Sequence, residues 1–224
     1  MNCYSQYNVK QGFLRLIHIQ LLVFLNVQRY HRARHRRTEE NTMKFEEKTL
    51  SSNQIYKGNL TEYIVESVEL PNGNVSTREI VRHPGAVAIM PFTPDGKMIF
   101  VEQFRKPIEK TIIEIPAGKI DDTDSNPQET GLRELKEETG YHAHVFDLVK
   151  TFYTTPGFTD EVIHLYRASE LEKKEELALD EDEFLEIKEL TFEEAWQAYE
   201  DEQIVDAKTI MALLYWKIER LAAE

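Results

Sequence analysis

Three glutamates lie within five positions of the stretch GLRELKEETGY, residues 131–141. They are Glu134, Glu137 and Glu138, and Gly140 follows them at a position typical of a helix end. Residues three or four positions apart share a helix face, so the three carboxylates are predicted to lie together. The stretch contains neither cysteine nor histidine, and its hard oxygen ligands favour Mg²⁺ or Mn²⁺ over Zn²⁺. The alternative is an ordinary solvated acidic face.

The charge of the chain limits the kinds of partner it can bind. Its formal net charge is −13, so its body is expected to repel nucleic acid and anionic membranes. A phosphate-bearing substrate would therefore require bound cations to reverse the local field. Cys3 is the single cysteine, which excludes a disulfide within the chain and predicts a cytoplasmic location.

Residues 1–42 differ in composition from the rest of the chain. They hold seven Lys/Arg against two Glu, a net charge of +5, which leaves −18 for the remainder. Their apolar run is interrupted by Arg15, His18 and Gln20 and is too short for a convincing transmembrane helix. We predict a leader outside the native protein or a disordered extension, with translation starting at Met43. A mitochondrial-type presequence is the alternative.

The remaining pattern predicts β-hairpins followed by strands interleaved with helices. PNGN at residues 71–74 and TPDGK at residues 93–97 are turn signals between strand-like runs. Two helices are predicted to close the chain, one starting with a capping box at Thr191 and one with Asp206 as its N-cap. This order predicts an α/β fold with a mixed sheet between helices, plus a small separate sheet formed by the early hairpins.

The helix that carries the glutamates is predicted to begin near Pro127 and to end at Gly140. On it, Leu132 and Leu135 are predicted to face the core, and Arg133 is spaced to pair with Glu137.

These glutamates belong to a longer pattern that starts at Gly118. The run Arg-Glu-Leu-x-Glu-Glu-x-Gly-Tyr, residues 133–141, resembles the second half of the Nudix box at every specified position. The whole box reads Gly-x5-Glu-x7-Arg-Glu-apolar-x-Glu-Glu-x-Gly-apolar. The segment from Gly118 to Arg133 is one residue longer than the box, so its first Glu falls on Asp124 or Ser125. In the family that residue mainly braces the loop against the arginine.

The resemblance implies a fold, a reaction and a metal site. The expected fold is the Nudix α/β/α sandwich with a mixed sheet, plus a small N-terminal antiparallel β-sheet domain. The expected reaction is Mg²⁺-dependent hydrolysis of a nucleoside diphosphate linked to another moiety. By the matched positions, Glu134 and Glu138 are the principal metal ligands and Glu137 is a ligand or a water-mediated partner. The carbonyl of Ala117 completes the set.

The flanks of the box resemble the bacterial ADP-ribose pyrophosphatase branch of the Nudix hydrolases. Pro156 lies fifteen residues beyond Tyr141 in TTPGFTDE, and REIVRHPGAVAIMPF, VEQFRKP and EIPAGKID are close to that branch's pattern. The resemblance runs from about Met43 to the C-terminus. It implies ADP-ribose as the substrate, with AMP and ribose 5-phosphate as the products.

The same matching assigns substrate contacts and a catalytic base. Arg78 and Arg105 are expected to contact the substrate, and Glu161 to lie near the ribose or a metal ligand. The base is placed on the acidic loop LDEDEF, at Glu181 first and Glu183 second. The alternatives are a surface salt bridge from Arg105 to Glu102 or Glu109, and solvated carboxylates at the other positions.

The resemblance also implies a homodimer. Residues 43–85 would form an N-terminal region exchanged between two subunits, and residues 86–224 the hydrolase domain. Two alternatives stay open: a Nudix pyrophosphatase acting on another nucleotide sugar, a dinucleotide coenzyme or a nucleoside triphosphate, and a non-catalytic ADP-ribose sensor. The three intact box glutamates favour an enzyme over a sensor.

Overall fold

The computed structural model of the chain describes residues 44–121, 123–173 and 184–223. The predicted extension of residues 1–42 and the two candidate bases, Glu181 and Glu183, lie outside these ranges. Within the described part, no helix is long and apolar enough to cross a membrane.

Strands dominate the first half of the chain, and helices alternate with strands after it. The strands are β1 Lys48–Lys57, β2 Glu62–Glu69, β3 Val75–Arg82, β4 Ala86–Pro91, β5 Met98–Arg105, β6 Lys110–Glu114, β7 Ala117–Lys119, β8 Tyr141–Tyr153, β9 Val162–Lys173 and β10 Leu185–Leu190. The helices are α1 Pro127–Thr139, α2 Phe192–Glu200 and α3 Ala207–Ala223.

The first three strands form a small sheet of their own, in the order β1-β2-β3. At the turn between β2 and β3, the N–H of Leu70 donates to the carbonyl of Asn74 at 2.8 Å. Gly73 in that turn has a φ of 82°, in the left-handed region that glycine adopts without strain. The hairpin predicted from PNGN is therefore confirmed.

Two further sheets form the body of the fold. One is a mixed four-stranded sheet with the order β7-β4-β9-β8, in which β4 runs parallel to β9 and antiparallel to β7. The other is an antiparallel sheet with the order β10-β5-β6. The TPDGK turn joins β4 to β5 as predicted, with Thr93 N–H donating to the carbonyl of Lys97 at 2.9 Å.

Strand β4 is buried on both faces, which explains its uninterrupted apolar sequence. Val87 and Ile89 pack in one cluster with Leu135 of α1. Ala88 and Met90 point the opposite way and pack in a second cluster with residues of α2 and α3. Helices therefore cover both faces of a mixed sheet, and the predicted α/β/α sandwich with a separate small sheet is confirmed.

Helix α1 has the predicted ends, but one of its leucines faces outward. Pro127 lies in the first turn, and Gly140 ends the helix with a φ of 71°. Leu135 is fully buried as predicted, whereas Leu132 is 37% exposed, so the prediction for Leu132 is wrong. The buried face of α1 includes Glu134, Leu135 and Glu138 and leaves Leu132 outside it.

The last two helices begin as the sequence predicts. Thr191 and Glu194 form a capping box, with Thr191 Oγ1 accepting from the Glu194 N–H at 3.2 Å. Asp206 caps α3, because its Oδ2 accepts from the N–H of Thr209 at 3.2 Å. Both caps fix where α2 and α3 start against the sheet.

Candidate active site

Glu134 lies directly over Gly118, the middle residue of the short strand β7. A Cβ atom placed on Gly118 would be 1.9 Å from Cδ of Glu134 and 2.0 Å from its Oε1. The residue is 8% exposed, so its carboxylate fills the space that a side chain at position 118 would need. A glycine at this position therefore lets the carboxylate approach the main chain.

Glu138 lies one helical turn beyond Glu134 and contacts the same segment. Its Oε2 accepts a hydrogen bond from the N–H of Ala117 at 3.2 Å, and the residue is 2% exposed. Ala117 itself is held by its register with Ala88 of β4. The structure thus brings two nearly buried carboxylates of α1 against Ala117 and Gly118; that they bind a metal ion stays a prediction.

Arg133 connects the glutamates to the loop that precedes the helix. Its Nη1 lies 2.9 Å from Oε1 of Glu134 and 2.9 Å from Oε2 of Glu137, so the predicted pairing with Glu137 is confirmed. Its Nη2 reaches Oδ2 of Asp124 at 3.1 Å and Oδ2 of Asp121 at 3.3 Å. Burial acts to lower the pKa of Arg133, but the Asp124 hydrogen bond and the glutamate charges outweigh it and raise that pKa.

Asp124, and not Ser125, braces the loop against Arg133. Its Oδ2 also accepts from the Asp121 N–H at 3.1 Å and from the Thr130 hydroxyl at 2.9 Å. The Arg133 hydrogen bond holds the pKa of Asp124 below its ordinary value, against the opposing effect of burial.

We expect the replacement Asp124→Asn to lower stability at neutral pH and to matter less in acid. The folded pKa of Asp124 lies below its ordinary value of 3.8, so the stabilisation is complete above that pH and is lost as the pH falls through the folded pKa. Urea unfolding of both proteins from pH 7 to pH 3 measures the difference. A difference in unfolding free energy that does not change with pH would contradict the prediction.

The donor chemistry of these glutamates fits a divalent cation. Among the residues that the structure describes, no group of three His, Cys, Asp or Glu side chains is arranged as a metal site, and Arg133 bridges Glu134 and Glu137. Glu134 and Glu138 are nonetheless nearly buried carboxylates on one helix face. Such carboxylates repel each other unless a positive charge accompanies them, and their hard oxygens suit Mg²⁺ or Mn²⁺.

Arg105 pairs with a residue that the sequence analysis does not single out. Its Nε lies 2.6 Å from Oε2 of Glu114, whose side chain is 3% exposed. The expected surface partners are engaged elsewhere: Glu102 with Lys188 at 2.9 Å, and Glu109 with Lys106 at 2.6 Å. The alternative of a surface salt bridge to Glu102 or Glu109 is therefore wrong.

Glu161 lies immediately before β9 and is held by two neighbours. Thr154 Oγ1 donates to its Oε2 at 2.6 Å, and Nε2 of His83 lies 3.8 Å from its Oε1. Ala86 of β4 pairs with Ile163 on one side and with Lys119 on the other. Glu161 thus comes to the same end of the mixed sheet as the box loop.

Arg78 lies in β3 of the small sheet. Its Nη1 donates to the carbonyl of Thr77 at 2.8 Å and to Oγ of Ser76 at 3.2 Å. A substrate contact by Arg78 stays a prediction.

The comparison with known families agrees with this geometry. The sequence profile of the NUDIX domain matches residues 81–213, which include α1, the β7 segment and Glu161. This chain belongs to the Nudix family. Nudix hydrolases generally use divalent metal ions such as Mg²⁺, which is the ligand class that the carboxylates of α1 suit.

Two relatives of this Nudix hydrolase align over most of its length. It is 51% identical to the ADP-ribose pyrophosphatase of Bacillus subtilis (strain 168) over 175 residues, 78% of this chain and 94% of that protein. It is also 51% identical to the methanol dehydrogenase activator of Bacillus methanolicus over 176 residues, 78% of this chain and 95% of that protein.

A solved structure shares the fold of this Nudix hydrolase. It is the crystal structure of an ADP compounds hydrolase, with a TM-score of 0.68 and 22% identity, covering 79% of this chain and 95% of that one. At that identity the likeness supports the architecture alone.

Sequence reasoning missed the ionic partners of the candidate site residues Arg105 and Glu161. Glu114 was present in the strand TIIEI, where one carboxylate among apolar residues signals a buried charge that needs a partner. Lys208 and His83 gave no comparable signal, because the glutamates that they contact, Glu114 and Glu161, are distant from them in sequence.

Proposed function

We propose that this Nudix hydrolase adds water to the pyrophosphate of ADP-ribose and releases AMP and ribose 5-phosphate. The observation that carries the proposal is the 51% identity to the ADP-ribose pyrophosphatase of Bacillus subtilis across 94% of its length. The nearly buried glutamates beside Ala117 and Gly118 support catalysis rather than sensing, because they supply the charge that a metal-dependent hydrolase requires.

The box residues would hold the cation. The carboxylates of Glu134 and Glu138 are its principal ligands, with Glu137 as a further ligand or a partner through water and the carbonyl of Ala117 completing the set. When bound, Mg²⁺ or Mn²⁺ neutralises the pyrophosphate and lowers the pKa of a coordinated water. Arg133 orients Glu134 and Glu137 through its Nη1.

Other side chains bind the substrate and move the proton. Arg105 and Arg78 grip the phosphates, because a guanidinium donates two parallel hydrogen bonds to phosphate oxygens. Glu161 accepts from the ribose or braces a metal ligand, held in place by Thr154. A carboxylate of the acidic loop, Glu181 or alternatively Glu183, takes the proton from the attacking water.

The same proposal includes a cytoplasmic homodimer that exchanges the segment of residues 43–85. All ten residues of β1 are exposed in the single chain. Leu50, Ile55 and Tyr56 on this strand are 49%, 53% and 62% exposed. A long, exposed edge strand with apolar side chains is a site for pairing with a second chain. Light scattering on the purified protein measures the subunit number directly.

A second candidate substrate is NAD⁺. The chain is equally identical, at 51%, to a protein named methanol dehydrogenase activator. Many dehydrogenases use nicotinamide dinucleotides, and these contain the same pyrophosphate group as ADP-ribose. On this alternative the chain cleaves the dinucleotide to AMP and nicotinamide mononucleotide.

Product analysis of the full chain tests the proposed function. The protein is incubated with ADP-ribose, NAD⁺, GDP-mannose and ATP, each with Mg²⁺ and with EDTA, and the products are separated by chromatography. We expect AMP and ribose 5-phosphate from ADP-ribose, only with the metal, at a kcat/KM at least about tenfold above the other three substrates. A higher kcat/KM for NAD⁺ supports the second candidate, and binding of ADP-ribose without cleavage supports the sensor.

A further inference from the structure

Glu114 is a buried carboxylate at the end of strand β6, directly after the buried Ile112 and Ile113. Its side chain is 3% exposed, and a charge at that depth needs partners for both oxygens. One partner is Arg105, whose Nε lies 2.6 Å from Oε2. The other is Lys208 of α3, whose Nζ contacts Oε1. Because each oxygen has its own cation, the plane of the carboxylate is fixed.

Lys208 is itself held by the first turn of α3. Its Nζ lies 2.9 Å from Oδ2 of Asp206, the residue that caps the helix. In the same turn, the hydroxyl of Thr209 accepts the N–H of Ile115 at 3.0 Å. The start of α3 is therefore joined to the end of β6 at two adjacent points, and Lys208 has one defined position.

The contact with Glu114 leaves the outer edge of Arg105 available. Only Nε donates to Glu114, and within the described part of the chain neither terminal nitrogen of Arg105 donates to a protein group. The side chain is 40% exposed. The N–H groups of the two terminal nitrogens lie in one plane and match two oxygens of a phosphate.

Glu114 also lies close in sequence to Ala117, whose main chain contacts the proposed metal site. Ala117 follows it three positions later in the chain, a span of at most about 10 Å when extended. Ala117 donates to Glu138. One short segment therefore connects the anchor of Arg105 to the carboxylates of α1.

We propose that Glu114 and Lys208 are positioning residues for Arg105: they orient its guanidinium so that the terminal nitrogens face a phosphate of the substrate. The inference rests on the proposed function, in which Arg105 binds the pyrophosphate. Lys208 acts indirectly, through Glu114. It prevents the Glu114 carboxylate from rotating, and a rotation of that carboxylate would move Arg105.

A competing explanation is that the ion pairs of Glu114 with Arg105 and Lys208 have only a structural role, which is to hold α3 against β6. Buried ion pairs often add little net stability, because desolvation offsets the attraction between the charges. A structural role would make the effect of Glu114 independent of Arg105. A positioning role makes the effect of Glu114 disappear when Arg105 is absent, so the two roles differ in a double-mutant cycle.

The experiment compares Arg105→Met, Glu114→Gln and the double variant with the wild type, in the full-length chain. The measurements are kcat and KM for ADP-ribose with Mg²⁺, and the Kd of ADP-ribose by calorimetry in EDTA. We expect Glu114→Gln to raise KM and Kd about tenfold with kcat changed less than threefold. We expect the double variant to match Arg105→Met within about twofold.

Lys208 supplies a second variant that leaves the buried carboxylate in place. Lys208→Met is expected to raise KM three- to tenfold. Lys208→Arg is expected to have the KM of the wild type, because arginine keeps the positive charge beside Glu114. The control is Glu102→Gln. Glu102 lies on β5, the strand that also carries Arg105, and the change removes its ion pair with Lys188 of β10. This variant is expected to leave KM unchanged. Thermal unfolding of every variant reports whether it is folded.

Each outcome decides the inference. If Glu114→Gln weakens binding as much without Arg105 as with it, these ion pairs have only a structural role and the proposal is overturned. The same holds if Arg105→Met changes neither KM nor Kd. A wild type that binds ADP-ribose without cleaving it contradicts the proposed function, yet the cycle on Kd still tests the positioning role. A wild type that neither binds nor cleaves ADP-ribose overturns both the proposed function and the positioning role.

Discussion

The variant Glu138→Gln is expected to lose at least about 10³-fold in kcat, equal to about 4 kcal/mol of barrier, and to remain folded. Glu138 is 2% exposed and accepts from the Ala117 N–H at 3.2 Å. Glutamine has the same shape, and its carbonyl oxygen can keep that hydrogen bond. What the variant removes is one negative charge from the predicted cation site, and with it the charge balance that the reaction needs.

Metal binding gives a second measurement on the same variant. A cation that binds only the folded protein raises its unfolding temperature, so Mg²⁺ should stabilise the wild type against heat more than it stabilises Glu138→Gln. In EDTA the variant should be at least as stable as the wild type, because one of three crowded carboxylates has been neutralised. Activity and melting curves with Mg²⁺ and with EDTA test both statements.

The matched control is Glu129→Gln, which makes the same chemical change in the first turn of the same helix. Glu129 accepts from the Ser125 N–H and lies outside the group of Glu134, Glu137 and Glu138. Its kcat should stay within about twofold of the wild type. Retention of more than a tenth of the activity by Glu138→Gln would remove this residue from the metal site.

Local signals in the sequence predicted the parts of the fold that depend on neighbouring residues. The hairpin turns, the ends of α1 and the caps at Thr191 and Asp206 are each set by a few consecutive residues, and all agree with the structure. Apolar spacing was a poorer guide on α1. Leu132 fits a helical stripe with Leu135, but the helix is rotated so that Glu134 and Glu138 face inward.

Contacts between distant residues were beyond such signals. The alternative for Arg105 paired it with glutamates near it in sequence, whereas its partner is Glu114 across a strand pair, and Lys208 is ninety-four residues from Glu114. The choice between Asp124 and Ser125 needed the path of the loop, which the residue pattern leaves open. The box glutamates were predictable because one helix turn brings them together whatever the rest of the fold does.

The variant Gly118→Ala is expected to lower kcat about 10²-fold while leaving the fold nearly as stable as before. The added methyl would lie 1.9 Å from Cδ of Glu134, so the carboxylate must move. Gly118 is not among the glycines with a positive φ, so alanine strains no backbone there. The carboxylate is the end of a flexible side chain and swings away at low cost, but displacing a carboxylate of the proposed metal site is expected to cost catalysis.

Gly96→Ala is the opposite control for this prediction. Gly96 has a φ of 84°, and no atom lies within 4 Å of the position that an added methyl group would take, so alanine there strains the turn without touching the site. It should lower the melting temperature and keep kcat. Combining Gly118→Ala with Glu134→Gln should be no worse than Glu134→Gln alone, because the methyl acts through that carboxylate. A further loss in the double variant, or full activity in Gly118→Ala, would show that Glu134 is not held over Gly118 during the reaction.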